Sequence, residues 1–350
     1  MSVRQHVWCA VVLLIVLIVW YVDRAATWVF EDLTWMQSSA GPVAPAVWPV
    51  PRALMRWSWW AQVQLGQPYL AFRLVNLALF GLVLAEVWWL VRRVGLSAPA
   101  AWLAVAGVAV HPMSVEVAAY AAGRSELLAA IGVLAACLCA SGGWWRLPVG
   151  IGIVLSLGLG IAGKESAVVG LGLVPLTVWV MDDRRRPRWA PAWMPVVIAA
   201  SVALVAVRAY GGLRAVVNIE LHSLSVTWSE WLLLQAAATQ RLLSQVVWPS
   251  ALTPDADLDQ VGVAWRLGGL AVLLAAATGA WWFRRRRPVV AYGLAWCLVS
   301  VAPRFVVQTP RSYLNAHQFF LPFVGLVIAG VAWLADGREG GDKWNSGSAW

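Results

Sequence analysis

The sequence predicts an all-α polytopic membrane protein with about ten transmembrane helices and one further re-entrant or interfacial helix. Of its 350 residues, 61% are hydrophobic and only 12% are charged, whereas a soluble domain carries about 25% charged residues. Apolar runs close to the bilayer-spanning length of about 20 residues recur along the chain. Basic residues cluster at the ends of these runs. No polar segment is long enough to fold separately, so we expect a single membrane domain.

The predicted spans follow the apolar runs. They lie at roughly 8–22, 69–91, 99–115, 125–142, 147–163, 166–181, 192–208, 263–283, 288–303 and 317–335. The first run lacks a small-x-small cleavage site, which predicts an uncleaved span rather than a signal peptide. The membrane domain therefore covers residues 1–335. The Gly-rich segment 336–350 is expected to be a disordered cytoplasmic tail.

Basic clusters set the predicted orientation. The formal net charge is +9, and its clusters each follow an apolar run: Arg92 with Arg93, Arg184 to Arg186 with Arg188, and Arg284 to Arg287. This is the pattern of cytoplasmic loops under the positive-inside rule, and it argues against nucleic acid as a partner. A cytoplasmic N-terminus places every cluster inside.

One apolar segment does not fit this alternation. Counting residues 229–248, SEWLLLQAAATQRLLSQVVW, as a span would place the cluster at Arg284 outside. Its polar residues fit a helix with one apolar side, so we expect it to be re-entrant or interfacial. Two long outer loops then cover about 23–68 and 209–262, with shorter ones around 111–125, 163–166 and 304–316.

The predicted outer face gathers most of the remaining charge. The stretch HPMSVEVAAYAAGRSE and the next outer turn contribute His111, Glu116, Arg124, Glu126, Lys164 and Glu165. One interpretation is that turns between helices need polar residues and that the cations balance the acids. The other is that several cations converge on a phosphate, since charge at membrane depth is costly and Arg and Lys both suit phosphate oxygens.

Two further outer segments carry polar side chains. The first loop contains Asp23, Glu31 and Asp32, where adjacent acids in an apolar setting suit a general base; the alternative is a helix N-terminal turn. The segment before the last span adds a set of possible donors to the same face, although a polar loop is the simpler interpretation. These donors are Arg304, Arg311, Tyr313, His317 and Gln318.

These motifs, taken in order, resemble the GT-C superfamily of polytopic glycosyltransferases. The closest branch is that of the membrane O-mannosyltransferases that usually carry C-terminal tetratricopeptide repeats, with their bacterial relatives. HPMSVEVAAYAAGRSELLAA resembles the branch's His-Pro-x-x-x-Glu and Gly-Arg-x-Glu-x-Leu motif. FEDLTWM resembles its acidic first loop, GKESAVVGLGLVPL its Lys-Glu hairpin, WPSALTPDADLD its Pro-x-x-Leu-x-x-Asp loop and LNAHQFFLPFVG the start of its final span. The resemblance runs over residues 8–335.

The resemblance implies a GT-C-like fold and an inverting transfer from a polyprenyl-phosphate sugar to a glycan, lipid or protein acceptor. It implies a multi-pass protein of a bacterial inner membrane, surrounded by lipid, with its site on the periplasmic face. Asp32 or Glu31 would be the base. The residues near the donor phosphate would be Arg124, Lys164, His111 and Arg311, and those shaping the site would be Glu116, Glu126, Glu165, Tyr313 and His317.

No cofactor is expected, because the lipid-linked sugar is a substrate. A divalent metal stays open, since Glu31, Asp32, Asp255 and Asp257 could supply oxygen ligands. The chain departs from the family pattern at Ala316 and His317, at Phe320 and at Arg73, and no tetratricopeptide repeats follow the last span. The alternative function is a non-catalytic transporter, flippase or scaffold for lipid-linked sugars; a transporter would show polar residues through the midplane and broken helices that point at them.

Overall fold

The computed structural model describes residues 1–21, 36–37, 39–41, 45, 52–142, 147–181, 227–249, 262–306 and 316–336. Within these ranges the regular structure is entirely helical. The α-helices are α1 (Val3–Tyr21), α2 (Ala53–Gln64), α3 (Tyr69–Arg93), α4 (Ala98–Val110), α5 (Val115–Ala118), α6 (Arg124–Ser141), α7 (Leu147–Gly163), α8 (Gly170–Met181), α9 (Trp228–Val247), α10 (Val263–Phe283), α11 (Pro288–Val306) and α12 (Phe320–Asp336). Short 3₁₀ helices cover Pro112–Ser114, Ala121–Gly123, Glu165–Val169 and Ala316–Phe319.

Five helical stretches in the described residues are long and apolar enough to cross a membrane: Tyr69–Arg93, Ala121–Ser141, Val263–Phe283, Pro288–Phe305 and Ala316–Ala335. A sixth is reached if α4 and the segment Pro112–Ala118, which bend by 64° against each other, form one broken span. The spans predicted at 147–163 and 166–181 coincide with the shorter apolar helices Leu147–Gly163 and Glu165–Met181, and the span predicted at 8–22 overlaps the apolar stretch Val3–Ile15. The one predicted at 192–208 lies outside the described residues. The structure thus supports a multi-pass membrane protein, and the count of ten stays a prediction.

Glycines set the close packing of α6 against α7. A Cβ atom at Gly132 would collide with the backbone of Gly160, and one at Gly163 would lie 2.5 Å from the Cβ of Leu128. Small residues let two helix backbones approach where lipid gives little hydrophobic drive to pack them. The close approach brings the end of α7, and Lys164 beyond it, against the first turn of α6.

A break between α4 and α6 shapes the end of the bundle at which the predicted site lies. His111 has an extended backbone, as expected before Pro112, whose ring disfavours the helical region for the preceding residue. The His111 ring nitrogen Nδ1 accepts a hydrogen bond from the Met113 N–H at 3.1 Å. The Ser114 hydroxyl donates to the Val108 carbonyl at 2.6 Å, which satisfies an orphan acceptor at the end of α4.

Helix α9 runs along this same end of the bundle. Near its start, the Trp231 indole N–H donates to the Arg304 carbonyl at 3.1 Å, and near its end the Val246 carbonyl lies 3.1 Å from His111 Nε2. These contacts are about 22 Å apart along the helix, yet both join it to one end of its neighbours. The prediction that this segment does not cross the bilayer agrees with that geometry, and its interfacial placement in a membrane stays a prediction.

The bundle contains a buried carboxyl group with an unsatisfied hydrogen-bond acceptor. Glu86 on α3 is 9% exposed, and its Oε2 atom is buried with no hydrogen-bond partner in the described structure. A buried acceptor left unpaired costs about 1–3 kcal/mol. Arg92, near the end of the same helix, donates to the Leu96 carbonyl at 2.6 Å.

We therefore expect Glu86→Met to stabilise the protein. Met keeps a similar length and removes the unpaired oxygen, so the free energy of unfolding should rise by about 1–3 kcal/mol. Thermal unfolding in detergent would measure it, with the exposed Leu82→Met on the same helix as the control. A lower unfolding temperature for the Glu86 variant would show that the carboxyl has a stabilising role.

Candidate functional site

Arg124 is the most deeply buried cation at the end of the bundle where the chain breaks between α4 and α6. Its exposure is 0%, although it begins α6 directly after the 3₁₀ turn Ala121–Gly123. Its guanidinium donates to Asn76 Oδ1 at 2.9 Å, to Ser58 Oγ at 3.0 Å and to the Phe72 carbonyl at 3.2 Å. The guanidinium carbon lies 5.9 Å from the centre of the Trp59 ring, a cation–π distance. Arg124 thus links α2, α3 and α6.

Asn76 extends this network to the turn that precedes α6. Its amide nitrogen donates to the carbonyls of Tyr120 and Ala121 at 2.8 and 3.1 Å. The two ends of the Asn76 side chain therefore join the Arg124 guanidinium to the backbone just before it. A buried network with these partners satisfied fixes a unique local arrangement.

Lys164 and Glu126 form a buried ion pair. Lys164 Nζ lies 2.6 Å from Glu126 Oε1, and each side chain is 6% exposed. The second oxygen of Glu126 accepts from the Ser166 hydroxyl at 3.2 Å. The pair joins the end of α7 to the first turn of α6, at the place where the glycines allow the closest approach.

A second ion pair lies nearer the surface. Arg52, before α2, donates to Glu165 Oε1 at 3.1 Å, and the Glu165 side chain is 65% exposed. Partial loss of hydration raises the pKa of the Glu165 carboxyl, but the charges of Arg52 and Lys164 outweigh that effect and lower the pKa to about 2. Because most of the side chain faces solvent, which screens the pair, the contribution to stability is much smaller than this shift alone would give. The pair adds stability above the ordinary carboxyl pKa and loses it as the pH falls toward 2.

Arg52 also has an unusual backbone. Its φ is 55°, the only positive φ at a non-glycine residue in the described part of the chain. For a long side chain this is a real outlier, and such outliers concentrate at functional sites. The strained residue carries the guanidinium that pairs with Glu165.

The last described cation of this group comes from α11. Helix α11 packs against the 3₁₀ helix Glu165–Val169. Arg304, half-buried near the end of α11, lies within electrostatic reach of Glu126 and Glu165. We call Arg52, Glu126, Lys164, Glu165 and Arg304 the charged cluster. It assembles residues that are far apart in sequence at one end of the bundle.

Two histidines lie at the same end of the bundle as the charged cluster. His317 Nδ1 lies 3.8 Å from Glu116 Oε2, and both side chains are about a quarter exposed, at 25% and 23%. The His111 ring packs against Phe323 at 4.7 Å, and both of its nitrogens are in contact with backbone groups. His111 therefore fastens α9 to the bundle in this structure, and His317 is the more accessible of the two.

Several predicted site residues lie outside the described part of the chain. They are the predicted base Asp32 with Glu31, the phosphate-side Arg311, the neighbouring Tyr313, and Asp23, Asp255 and Asp257. Their roles stay predictions. Within the described ranges, no group of three His, Cys, Asp or Glu side chains is arranged to hold a metal ion.

Comparison of this chain with protein-family models, with curated proteins and with solved structures finds no match. The candidate site therefore depends on the residues and on their geometry.

Some residues of the site gave little signal in the sequence. Arg52 stands in a loop segment whose helix α2 was not predicted, although Met55 and Trp59, one turn apart, are both fully buried. Asn76 and Glu86 stand out in the sequence as polar residues in an apolar run, but the sequence does not indicate that Asn76 pairs with Arg124. Ser58 and Ser166 are ordinary in sequence and matter only because of the groups that they meet.

The two ion pairs predict a contrast in stability. Glu126→Gln removes the charge that compensates buried Lys164, so it should lower the free energy of unfolding by about 3–5 kcal/mol. Glu165→Gln breaks an exposed pair and should cost less than about 1 kcal/mol. Both substitutions are nearly isosteric, so each serves as the other's control in denaturant unfolding. Equal losses would contradict the assignment of Lys164 to Glu126.

Proposed function

We propose that the protein is a membrane glycosyltransferase that moves a sugar from a polyprenyl-phosphate donor to an acceptor at the cluster end of the bundle. The observation that carries the proposal is the convergence of Arg52, Lys164 and Arg304 on one end of an apolar helical bundle. The order of the outer-face motifs supports the same class. The sugar and the acceptor are unassigned.

The chemistry needs two functions that this end can supply. The acceptor hydroxyl must lose its proton as it attacks the anomeric carbon, which the proposal assigns to Asp32 or Glu31. The bond from that carbon to the phosphate oxygen breaks, and the leaving phosphate gains negative charge. Preorganised cations stabilise such charge in a water-poor site, and this role fits the charged cluster.

The contacts divide the cations by role. Arg124 has no exposed surface, and its described partners occupy both terminal nitrogens and Nε. We therefore assign Arg124 to positioning rather than to direct phosphate contact. Lys164 keeps two further donor hydrogens beyond its bond to Glu126. Together with Arg52 and Arg304, it is the better candidate to meet the donor phosphate.

The base assignment predicts a large loss of turnover for Asp32→Asn. Removing a general base lowers the rate of the chemical step by about 10²–10⁴-fold, while donor binding should change little because the phosphate contacts remain. Purified protein in lipid nanodiscs, given radiolabelled polyprenyl-phosphate sugars, would measure both quantities. Glu31→Gln is the matched control at the adjacent acid.

Unchanged turnover in Asp32→Asn with lost turnover in Glu31→Gln would move the base to Glu31. Full turnover in both variants would remove the first loop from the mechanism. Absence of transfer by the unmodified protein with every donor of the panel, with intact folding, would contradict the enzyme proposal itself.

The phosphate assignment predicts a selective loss of donor affinity in Arg304→Gln. A hydrogen bond to a charged group contributes about 1.5–3 kcal/mol, so the KM for the donor should rise roughly ten- to a hundredfold. The KM for the acceptor should stay near its original value. Arg266→Gln, at the start of α10, removes an equal charge and serves as the control. Equal effects of the two variants would show a general charge effect and contradict the assignment.

A further inference from the structure

A second group of arginines lies at the opposite end of the bundle. The turn between α10 and α11 contains Arg284, Arg285, Arg286 and Arg287. Its backbone is fixed, since the N–H groups of Arg286 and Arg287 both donate to the Phe283 carbonyl. Helix α11 begins at this turn, has 19 residues and carries Arg304 in its last turn, so its two ends are about 28 Å apart. The turn is therefore about one bilayer core away from the charged cluster.

Three of these arginines lie over tryptophan rings. The guanidinium carbon is 3.3 Å from the ring centre of Trp281 for Arg284, 4.9 Å from that of Trp282 for Arg286 and 4.2 Å from that of Trp333 for Arg287. Trp333 belongs to α12, so the contact with Arg287 joins the turn between α10 and α11 to a third helix. All three distances are within the range of cation–π attraction.

The rings face outward from the bundle. Trp281 is 66% exposed, Trp282 is 59% exposed and Trp333 is 48% exposed. Trp side chains of membrane proteins concentrate at the level of the lipid headgroups. The cation–π contact holds each guanidinium beside its ring, at the level of the headgroups, before any ligand binds.

Within the described residues, most guanidinium donors of this turn have no protein partner. None of the four guanidiniums is paired with a carboxylate there, and the side-chain hydrogen bond of the turn runs from Arg284 to the Trp281 carbonyl at 2.5 Å. The general preference for positive charge on one side of a membrane explains the sign of the cluster. It does not explain why three guanidiniums are stacked on exposed rings contributed by two helices.

We propose that this Arg–Trp turn, made of residues 284–287 with Trp281, Trp282 and Trp333, binds the phosphate headgroup of an anionic phospholipid. The guanidinium edges donate to the phosphate oxygens, and such bonds to phosphate are strong and often bidentate. The rings and the lipid-exposed surface of α10 receive the adjoining acyl chains. Basic pockets between helices at this depth suit anionic headgroups. The proposal is independent of the glycosyltransferase assignment.

The test uses the full chain, purified in detergent, with phosphatidylglycerol as the anionic probe and phosphatidylcholine as the zwitterionic one. Native mass spectrometry counts the lipids that stay bound. The unmodified protein should retain phosphatidylglycerol at least about fivefold more than phosphatidylcholine. The double variant Arg284→Gln/Arg287→Gln should reduce that preference to near unity, because it removes two of the guanidinium groups that lie over tryptophan rings.

The matched control removes the same charge elsewhere. Arg92→Gln with Arg93→Gln deletes two arginines from a different turn and should keep the preference. Trp333→Leu keeps every charge but removes the ring beneath Arg287, and it should weaken retention about two- to fivefold. All variants alter exposed or half-exposed side chains, and their unfolding temperatures should match that of the unmodified protein.

Equal loss in the two double variants would overturn the proposal, because the effect would then follow net charge. Unchanged retention of phosphatidylglycerol by the double variant Arg284→Gln/Arg287→Gln would overturn the proposal as well. Binding of inorganic phosphate that depends on Arg284 and Arg287, with no preferential retention of phosphatidylglycerol, would show a site for the free anion and would likewise contradict a lipid site.

Discussion

The buried guanidinium of Arg124 is the constraint on which the site end of the bundle depends. Arginine keeps its charge inside a protein, so an apolar bundle can hold it only by supplying acceptors. Here Asn76, Ser58 and the Phe72 carbonyl supply them. Satisfying one charge therefore fixes α2, α3 and the start of α6 relative to one another, and Asn76 extends the constraint to the turn before α6.

The Lys164–Glu126 pair applies the same rule to the neighbouring hairpin. Two charges buried together are tolerated because they meet at 2.6 Å and because Ser166 satisfies the second carboxylate oxygen. The Arg124 network and the Lys164–Glu126 pair are both buried, whereas Arg52 and Arg304 lie closer to the surface. The buried contacts hold this end of the bundle rigid. Among the three cations that the proposal assigns to the donor phosphate, Lys164 is the most deeply buried, and Arg52 and Arg304 are more accessible.

Composition and charge pattern predict the helical membrane class and the grouping of polar residues at helix ends. They do not predict which charges pair. Lys164 lies beside Glu165 in the sequence, yet it pairs with Glu126, 38 residues away, because the glycine-mediated approach of two helices decides the contact. The burial of Arg124 and the strained backbone of Arg52 likewise arise from tertiary packing. Helix α2 was missed because a short helix inside a long loop gives a weak periodic signal.

The most direct test of the central claim is an assay that follows the donor on both sides of a bilayer. Protein in liposomes would receive a labelled polyprenyl-phosphate sugar, and acceptor glycosylation and donor translocation would be measured together. Transfer of the sugar without net movement of the lipid is the predicted result. Movement of the intact donor across the bilayer without transfer would contradict an enzyme and identify a flippase.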